Sequence, residues 1–308
     1  MKAKSKELLK QIKNLSSEQI EHLKASVSSI DSEHTSSIAI TGIAFNFPGN
    51  IRDLESFWQL LKKGKHCIQD LNINARFSNH KKDVNDKNYW GGFLEEGVEE
   101  FDPAFFQISP KEAEIMDPQH RLLLQAVWHA LEDAAYLPEK LSNSRTGVYI
   151  GVCTYDYADL ISTQSLNSAH AALGKAPSLL ANRVSYFFNW HGPSETIDTA
   201  CSSSFVALHR AVEDLRRGEC HQAIVGGVNL LLSSRLFESF SDAGMLSPNG
   251  HCRPLDAQAN GYVRGEGVVA IVLKPLVEAL RDKERIYGII RGTAVNHGGK
   301  ANSLTAPN

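Results

Sequence analysis

The sequence predicts an α/β fold in which helices cover both faces of a sheet. Nearly continuous apolar runs of strand length recur along the chain, as in "TGVYIGV" and "QAIVGGVNLLL". Amphipathic segments with helical spacing lie between them, as in "LESFWQLLKKGK". Strands with one solvated face alternate apolar and polar residues, whereas strands buried on both faces read as continuous apolar runs. The pattern therefore favours a layered α/β architecture.

Strands and connecting segments follow one another from residue 37 onwards. Residues 70–90 are polar and irregular, which is typical of an insertion between elements. The predicted strands are residues 37–45, 146–152, 195–200, 222–232, 261–276 and 286–297.

The strongest helix signal begins at Asp117. Asp117 is a favoured N-cap residue, and Pro118 occupies the first helical position, where its missing N–H has no cost. Leu123, Val127 and Leu131 recur every four residues and mark the predicted buried face.

A second well-specified helix follows Cys201. Gly218 is placed to end it as a left-handed C′ residue. Its predicted buried face consists of Phe205, Leu208, Val212 and Leu215.

Residues 1–36 differ from the rest of the chain. Residues 1–30 hold six lysines, three glutamates, and no glycine or proline. Their apolar spacing predicts two short amphipathic helices, the second with Ser16 as N-cap and Gln19 three residues on, followed by a polar linker. Two interpretations remain open, namely an extension packed on its own domain and a hairpin that docks a partner.

Composition excludes several classes of protein. The net charge of −3 gives no basic excess for nucleic acid or an anionic membrane surface. No apolar run reaches the length of a membrane span and no signal peptide is evident, so a cytoplasmic protein is expected. Five scattered cysteines indicate free thiols. Cys220-His221 and His251-Cys252 lack the C-x₂₋₄-C spacing of zinc sites, and no bound metal is expected.

Cys201 is the candidate nucleophile. It lies where a strand ends and a helix begins, with three serines behind it. A sharp strand-to-helix turn projects a side chain away from the sheet, and the N–H groups of a helix start attract negative charge. The competing interpretation is a small apolar side chain buried in the core, the commonest role of cysteine.

The sequence around Cys201 resembles the active-site segment of β-ketoacyl synthases. The segment is "HGPSETIDTACSSS", and other segments match that family in order, including "MDPQHRLLLQAVWHALEDA", "GVYIGVCTYDY", "GHCRPLDAQANGYVRGEG" and "VNHGGKANSLTAPN". The resemblance covers residues 37–308. It is greatest to ketosynthases of modular polyketide synthases, particularly those served by a separate acyltransferase.

The resemblance implies a thiolase-like α-β-α-β-α fold that works as a homodimer. Residues 37–290 would be the N-terminal half and residues 291–308 the start of the C-terminal half. Cys201 would accept an acyl chain from the phosphopantetheine arm of an acyl carrier protein, for condensation with a decarboxylating malonyl group. The domain itself would bind no cofactor. Residues 1–30 would face an upstream synthase subunit.

The chain departs from the family's pattern in one respect. The family's histidine motifs "HGTGT" and "NIGH" do not occur in it. The sequence is therefore expected to be a truncated ketosynthase, unable to condense and poorly soluble alone. His297 and His191 are assigned structural or substrate-adjacent places, and Glu266 is expected to shape a turn.

Two other functions remain as hypotheses. The first is a non-catalytic docking or dimerisation fragment of a polyketide synthase, suggested by the missing histidines and the amphipathic N-terminus. The second is a cysteine hydrolase, for which no histidine motif pairs with Cys201.

Overall fold

The computed structural model describes most of the chain from Ser37 onwards. It covers residues 37–162 and 171–302, apart from residues 72–73, 75 and 78–88, together with the isolated positions Ser16 and Glu21. The two helices predicted in residues 1–30 thus lie outside the described residues, apart from those two positions.

The main sheet has six strands in the order β5-β4-β6-β8-β1-β9. Strand β4 runs parallel to both β5 and β6, whereas the pairs β6–β8, β8–β1 and β1–β9 are antiparallel. The strands are β1 (Ile38–Asn46), β4 (Thr146–Gly151), β5 (Ser194–Ile197), β6 (Gln222–Asn229), β8 (Gly267–Pro275) and β9 (Gly288–Ile290).

A smaller sheet of three strands lies in the order β2-β3-β7. Its strands are β2 (Ile68–Asp70), β3 (Trp90–Gly92) and β7 (Arg264–Gly265). Two strands of this sheet flank the segment predicted to be an irregular insertion.

The helices in the described part of the chain vary from one turn to four. They are α1 (Leu54–Lys62), α2 (Pro110–Ile115), α3 (Pro118–Asp133), α4 (Pro138–Leu141), α5 (Asp156–Ser162), α6 (Ala171–Lys175), α7 (Leu179–Phe188), α8 (Ser203–Arg217), α9 (Arg235–Asp242) and α10 (Leu276–Arg281).

Helices cover both faces of the main sheet, as the apolar strands predicted. On one face, apolar side chains of α3 and α7 pack against β4, β6 and β8. On the other face, α8 packs its small residues Ala207 and Ala211 beside Tyr149 and Val225. The described residues thus form three layers, helix, sheet and helix.

Helix α3 confirms the prediction made from its N-cap and its apolar spacing. The Asp117 carboxylate accepts a hydrogen bond from the Gln119 N–H, with an oxygen–nitrogen distance of 2.8 Å. Leu123, Val127 and Leu131 are each 0% exposed. Local capping and burial on the sheet therefore select the same helix.

The structure of helix α8 confirms its predicted end but not its whole predicted buried face. It ends at Gly218, whose φ of 73° is the predicted left-handed conformation. Val212 and Leu215 are buried, but Phe205 is 77% exposed. The buried face instead follows Ala207 and Ala211, because these small side chains let the helix lie close to the sheet, and this rotates Phe205 outward.

Within the described residues, every helix is too short or too polar to cross a bilayer.

The Asp117 cap gives the fold a measurable pH dependence. Burial is the main cause that raises the pKa of Asp117 to about 6, against the opposing hydrogen bonds from Gln119. The pKa of this carboxyl is about 3.9 in the unfolded chain and about 6 in the folded protein. At pH values between these two pKa values, the folded state binds more protons than the unfolded state. The free energy of unfolding should therefore fall as pH rises through this window.

Asp117→Asn keeps a side-chain oxygen that can cap the helix and removes the titration. We expect the variant to gain stability over the wild type as pH rises from about 4 to about 6, reaching about 1–3 kcal/mol. Urea unfolding of both proteins across this range measures the difference. Identical pH slopes would contradict the assignment.

Candidate active site

Cys201 lies in the turn between β5 and α8. Strand β5 ends at Ile197, so the predicted strand over residues 195–200 is three residues too long. The chain turns there because the Asp198 carboxylate accepts a hydrogen bond from the Ala200 N–H, at 3.0 Å. Cys201 therefore comes two residues before the first residue of α8 rather than at the end of a strand.

The turn is sharp, and its hydroxyl groups hold it. Ala200 has a φ of 54°. Residues other than glycine, asparagine and aspartate seldom adopt this left-handed conformation. The Ser202 hydroxyl donates to the Thr199 carbonyl at 2.8 Å, and the Ser203 hydroxyl donates to the Ala200 carbonyl at 2.6 Å. Two of the three serines behind Cys201 thus stabilise the turn that presents it.

Two glycines let the first turn of α8 lie directly on the sheet. A Cβ added at Gly151 would be 2.4 Å from the Ser204 main-chain nitrogen. A Cβ added at Gly227 would be 2.3 Å from the Ser204 hydroxyl oxygen. Glycine at the ends of β4 and β6 therefore determines how close the start of the helix, and with it Cys201, comes to these strands.

Cys201 is exposed and lines a cavity of about 270 Å³. The exposure excludes the interpretation of Cys201 as a core side chain. The other lining residues are Phe47, Gly151, Val152, Cys153, Ala200, Ser203, Ser204, Gly227, Val228, Asn229, Gly265, Glu266, Gly267, Val268 and Val269. The walls are mainly small and apolar, which suits a non-polar chain attached near the thiol.

Phe47, Cys153 and Asn229 line the cavity although nothing in the sequence groups them with Cys201. They lie just after β1, just after β4 and at the end of β6, three strands that point in the same direction. Carboxyl ends of strands that share a direction meet at one edge of a sheet, where ligands bind in α/β folds. The sheet order was the missing information, because the three positions are far apart in sequence.

Glu266 holds the floor of the cavity in place. Its carboxylate accepts from both terminal nitrogens of Arg76 at 2.7 Å and from the N–H groups of Leu94 at 2.7 Å and Leu231 at 2.9 Å. The Glu266 side chain is 0% exposed. With four donors directed at it, the carboxylate joins the start of β8 to the segments that follow β3 and β6. The turn-shaping role expected for Glu266 stays a prediction.

Neither of the two histidines considered from the sequence lines the Cys201 cavity. His297 is exposed, and its Nδ1 accepts from the Gly299 N–H at 2.9 Å. His191 is also exposed, and its main-chain N–H donates to the Ser144 carbonyl at 2.9 Å. No histidine is present among the residues lining this cavity.

A larger cavity of about 630 Å³ lies between the end of β1, the start of α1 and α3. Cys201 does not line it. Because the exposed thiol and the helix start lie at the smaller cavity, the chemistry is assigned there. Among the residues that the structure describes, no cluster of three or more His, Cys, Asp or Glu side chains is arranged to hold a metal ion.

The two glycines under α8 allow a matched test of this geometry. Gly151→Ala places a methyl group against backbone, which must shift, whereas Gly227→Ala meets a side-chain hydroxyl that can rotate. We expect Gly151→Ala to lower stability by about 1–3 kcal/mol and to alter the rate at which iodoacetamide alkylates Cys201. Gly227→Ala should have a smaller effect on both.

Peptide mass mapping measures the alkylation rate, and urea unfolding measures stability. Equal behaviour of the two variants would show that the close approach of α8 to the sheet does not position the thiol.

Comparison with known proteins identifies the family. The family model "Beta-ketoacyl synthase, N-terminal domain" matches residues 35–279. Polyketide synthase PksN of Bacillus subtilis is 46% identical over 278 residues, covering 88% of this chain and 5% of that protein. Cyclo-acetoacetyl-L-tryptophan synthase of Aspergillus oryzae is 46% identical over 282 residues, covering 88% of this chain and 7% of that protein.

Solved structures agree with the sequence comparison. The ketosynthase from module 6 of the bacillaene synthase of Bacillus subtilis superimposes with a TM-score of 0.79 at 41% identity, covering 88% of this chain and 46% of that one. The oxazolomycin ketosynthase domain OzmH KS7 of Streptomyces albus gives a TM-score of 0.81 at 38% identity, covering 88% and 49%.

The chain thus spans about half the length of these solved ketosynthases and a small part of the curated synthases. The three described layers correspond to part of the thiolase-like fold of those domains. Their match over most of the described residues confirms the fold and the family expected from the sequence. The chain belongs to the β-ketoacyl synthase family, among the ketosynthase domains of polyketide synthases.

Proposed function

We propose that Cys201 accepts an acyl group from a carrier-protein thioester, as the first step of β-ketoacyl synthesis. The observation that supports this most is the exposed thiol in the cavity at the start of α8. A nucleophile must be reachable by its substrate and held in one position. The exposure of Cys201 meets the first need, and the hydrogen-bonded turn before α8 meets the second.

The proposed step is a thioester exchange. The Cys201 thiolate attacks the acyl carbonyl, and its sulfur–carbon bond forms as the carbonyl becomes a tetrahedral oxyanion. The intermediate then collapses and breaks the bond to the carrier's sulfur, which leaves as a thiolate and takes up a proton. A thiolate is suited to both roles because it is a soft nucleophile and a good leaving group.

The helix start supplies electrostatic support for this step. No side chain caps the N-terminus of α8, although the Ser203 N–H already donates to the Ala200 carbonyl at 3.1 Å. We assign the Cys201 N–H as one donor to the oxyanion, since a donor fixed before the reaction needs no reorganisation. The partial positive end of the helix acts in the same direction.

The acyl groups would arrive on the phosphopantetheine arm of an acyl carrier protein, with no cofactor bound by the domain itself. Condensation would then join the loaded chain to a malonyl unit that loses CO₂. The histidine motifs that the family uses for that second reaction do not occur in these residues. Acyl loading is therefore the step proposed for the described residues, within a longer synthase assembly.

A homodimer is proposed through the edge strand β5. The Val148 N–H donates to the Pro193 carbonyl and the Val152 N–H to the Ile197 carbonyl, so β5 uses alternate residues to bond β4. The main-chain groups of Thr196 then face away from β4, and no other described strand pairs with that side. An unpaired edge is a template for a second copy of the same strand.

Residues 1–30 keep their proposed role as a segment that docks an upstream synthase subunit. A fragment that docks or dimerises without accepting acyl groups remains the alternative function. The two functions differ in one chemical event, the covalent loading of Cys201.

Incubation with an acyl thioester of the carrier arm should acylate wild-type protein but not Cys201→Ser. Cys252→Ser removes another exposed thiol outside the cavity and should load like the wild type. Intact-mass spectrometry followed by peptide mapping locates the adduct. A folded wild-type sample that takes up no acyl group would favour the non-catalytic alternative.

The proposed dimer is tested by removing one outward N–H group from the edge of β5. Thr196→Pro abolishes that donor, whereas Thr196→Val keeps it and loses only the hydroxyl that accepts from the Ala181 N–H. Light scattering during size-exclusion chromatography should give a monomer for Thr196→Pro and a dimer for Thr196→Val. A Thr196→Pro protein that remains a dimer would contradict pairing through β5.

A further inference from the structure

A second thiol lies beside Cys201 in the same cavity. Cys153 and Cys201 are both exposed, and both line the cavity of about 270 Å³. Neither the sequence motifs nor the acyl-loading step gives Cys153 a role. The remaining cysteines do not line this cavity.

The sheet brings the two thiols together. Cys153 comes two residues after β4 and Cys201 four residues after β5, and these strands are parallel neighbours in which Gly151 lies opposite Ile197. Both cysteines therefore leave the sheet at the same edge. A disulfide requires about 4.4–6.8 Å between its Cα atoms, and both residues line one cavity of about 270 Å³.

Two hydrogen bonds join the segments that carry the cysteines. The Val152 N–H donates to the Ile197 carbonyl at 3.1 Å, immediately before Cys153. The Tyr155 hydroxyl, two residues after Cys153, donates to the Asp198 carboxylate at 2.8 Å. The contacts therefore lie on both sides of Cys153 and hold its segment against the turn that presents Cys201.

The charge of Cys201 also affects the protonation of Cys153. Partial burial is the main cause that raises the pKa of Cys153, and the charges of Asp198 and Cys201 raise it further. Cys153 is thus held mostly as the neutral thiol beside Cys201. This suits a thiol that reacts second, after its neighbour has been activated.

We propose that Cys153 is a resolving thiol that forms a reversible disulfide with Cys201 when the protein meets a peroxide. The consequence for loading rests on the function proposed above, but disulfide formation itself does not. When the disulfide is present, the Cys201 sulfur is covalently blocked and cannot accept an acyl group. The cavity is then a redox-sensitive site as well as a place for the acyl chain.

The reaction balances with hydrogen peroxide as the oxidant. The Cys201 thiolate attacks one peroxide oxygen, the O–O bond breaks, and Cys201 becomes a sulfenic acid as one water is released. The Cys153 sulfur then attacks the Cys201 sulfur, the S–O bond breaks, and a second water leaves with the Cys153 proton. Two thiols are oxidised to one disulfide, and one peroxide is reduced to two waters.

The pairing protects Cys201 from irreversible oxidation. A sulfenic acid with no thiol beside it proceeds with excess peroxide to sulfinic acid, which dithiothreitol does not reduce. A disulfide returns to two thiols by exchange with dithiothreitol. Recovery after oxidation is therefore the property that Cys153 should control.

The experiment treats the full, reduced chain with hydrogen peroxide and digests it without reductant. In the wild type we expect a peptide that links Cys153 to Cys201 and disappears after dithiothreitol. In Cys153→Ser and Cys153→Ala, Cys201 should be captured as sulfenic acid when dimedone is present and should reach sulfinic acid when dimedone is absent. Cys252→Ser should form the same cross-link as the wild type.

Oxidation of Cys201 to sulfinic acid at equal rates in the wild type and both Cys153 variants, with no linked peptide, would overturn the proposal. Acyl loading of each protein, measured against its own reduced baseline, gives an independent readout. Loading should return after dithiothreitol in the wild type and stay lost in Cys153→Ser. If the cross-link forms but reduced wild type never loads, the disulfide stands and the acyl-loading function fails.

Discussion

The close contact between the first turn of α8 and the ends of two strands is the constraint on which the site depends. Gly151 and Gly227 have no Cβ, so the backbone and hydroxyl of Ser204 can lie where side chains would otherwise be. That contact places the start of the helix over the sheet edge. The turn before the helix must then be tight, and it carries Cys201 at its outer side.

The same contact explains why the surrounding segments matter to the chemistry. Strands β1, β4 and β6 end at one edge, so their final residues form the cavity wall beside the thiol. Beside this wall, the Glu266 carboxylate joins Arg76 to the segments that follow β3 and β6 through four hydrogen bonds. Burial of an ionised group is tolerable only when donors surround it, and the Arg76 guanidinium and two N–H groups meet that need. The cavity is therefore built from the ends of the strands together with the turn that carries the thiol.

The sequence predicted what local rules decide and missed what the sheet order decides. The cap at Asp117 and the stop at Gly218 were found because each depends on a few neighbouring residues. Phe205 was wrongly placed in the core, because apolar spacing cannot tell which of two overlapping faces of α8 meets the sheet. The left-handed Ala200 carried no signal, since alanine does not favour that conformation. Cys201 was found from its motif, whereas Cys153 and Asn229 required the strand order.

The proposed role of Cys201 as an acyl acceptor is tested most directly by a structure determined after incubation with an acyl thioester of the carrier arm. Electron density should continue from the Cys201 sulfur into the cavity lined by Phe47, Val152 and Val268. An acyl group on another side chain, or a Cys201 that stays unmodified in a protein folded as described, would contradict it.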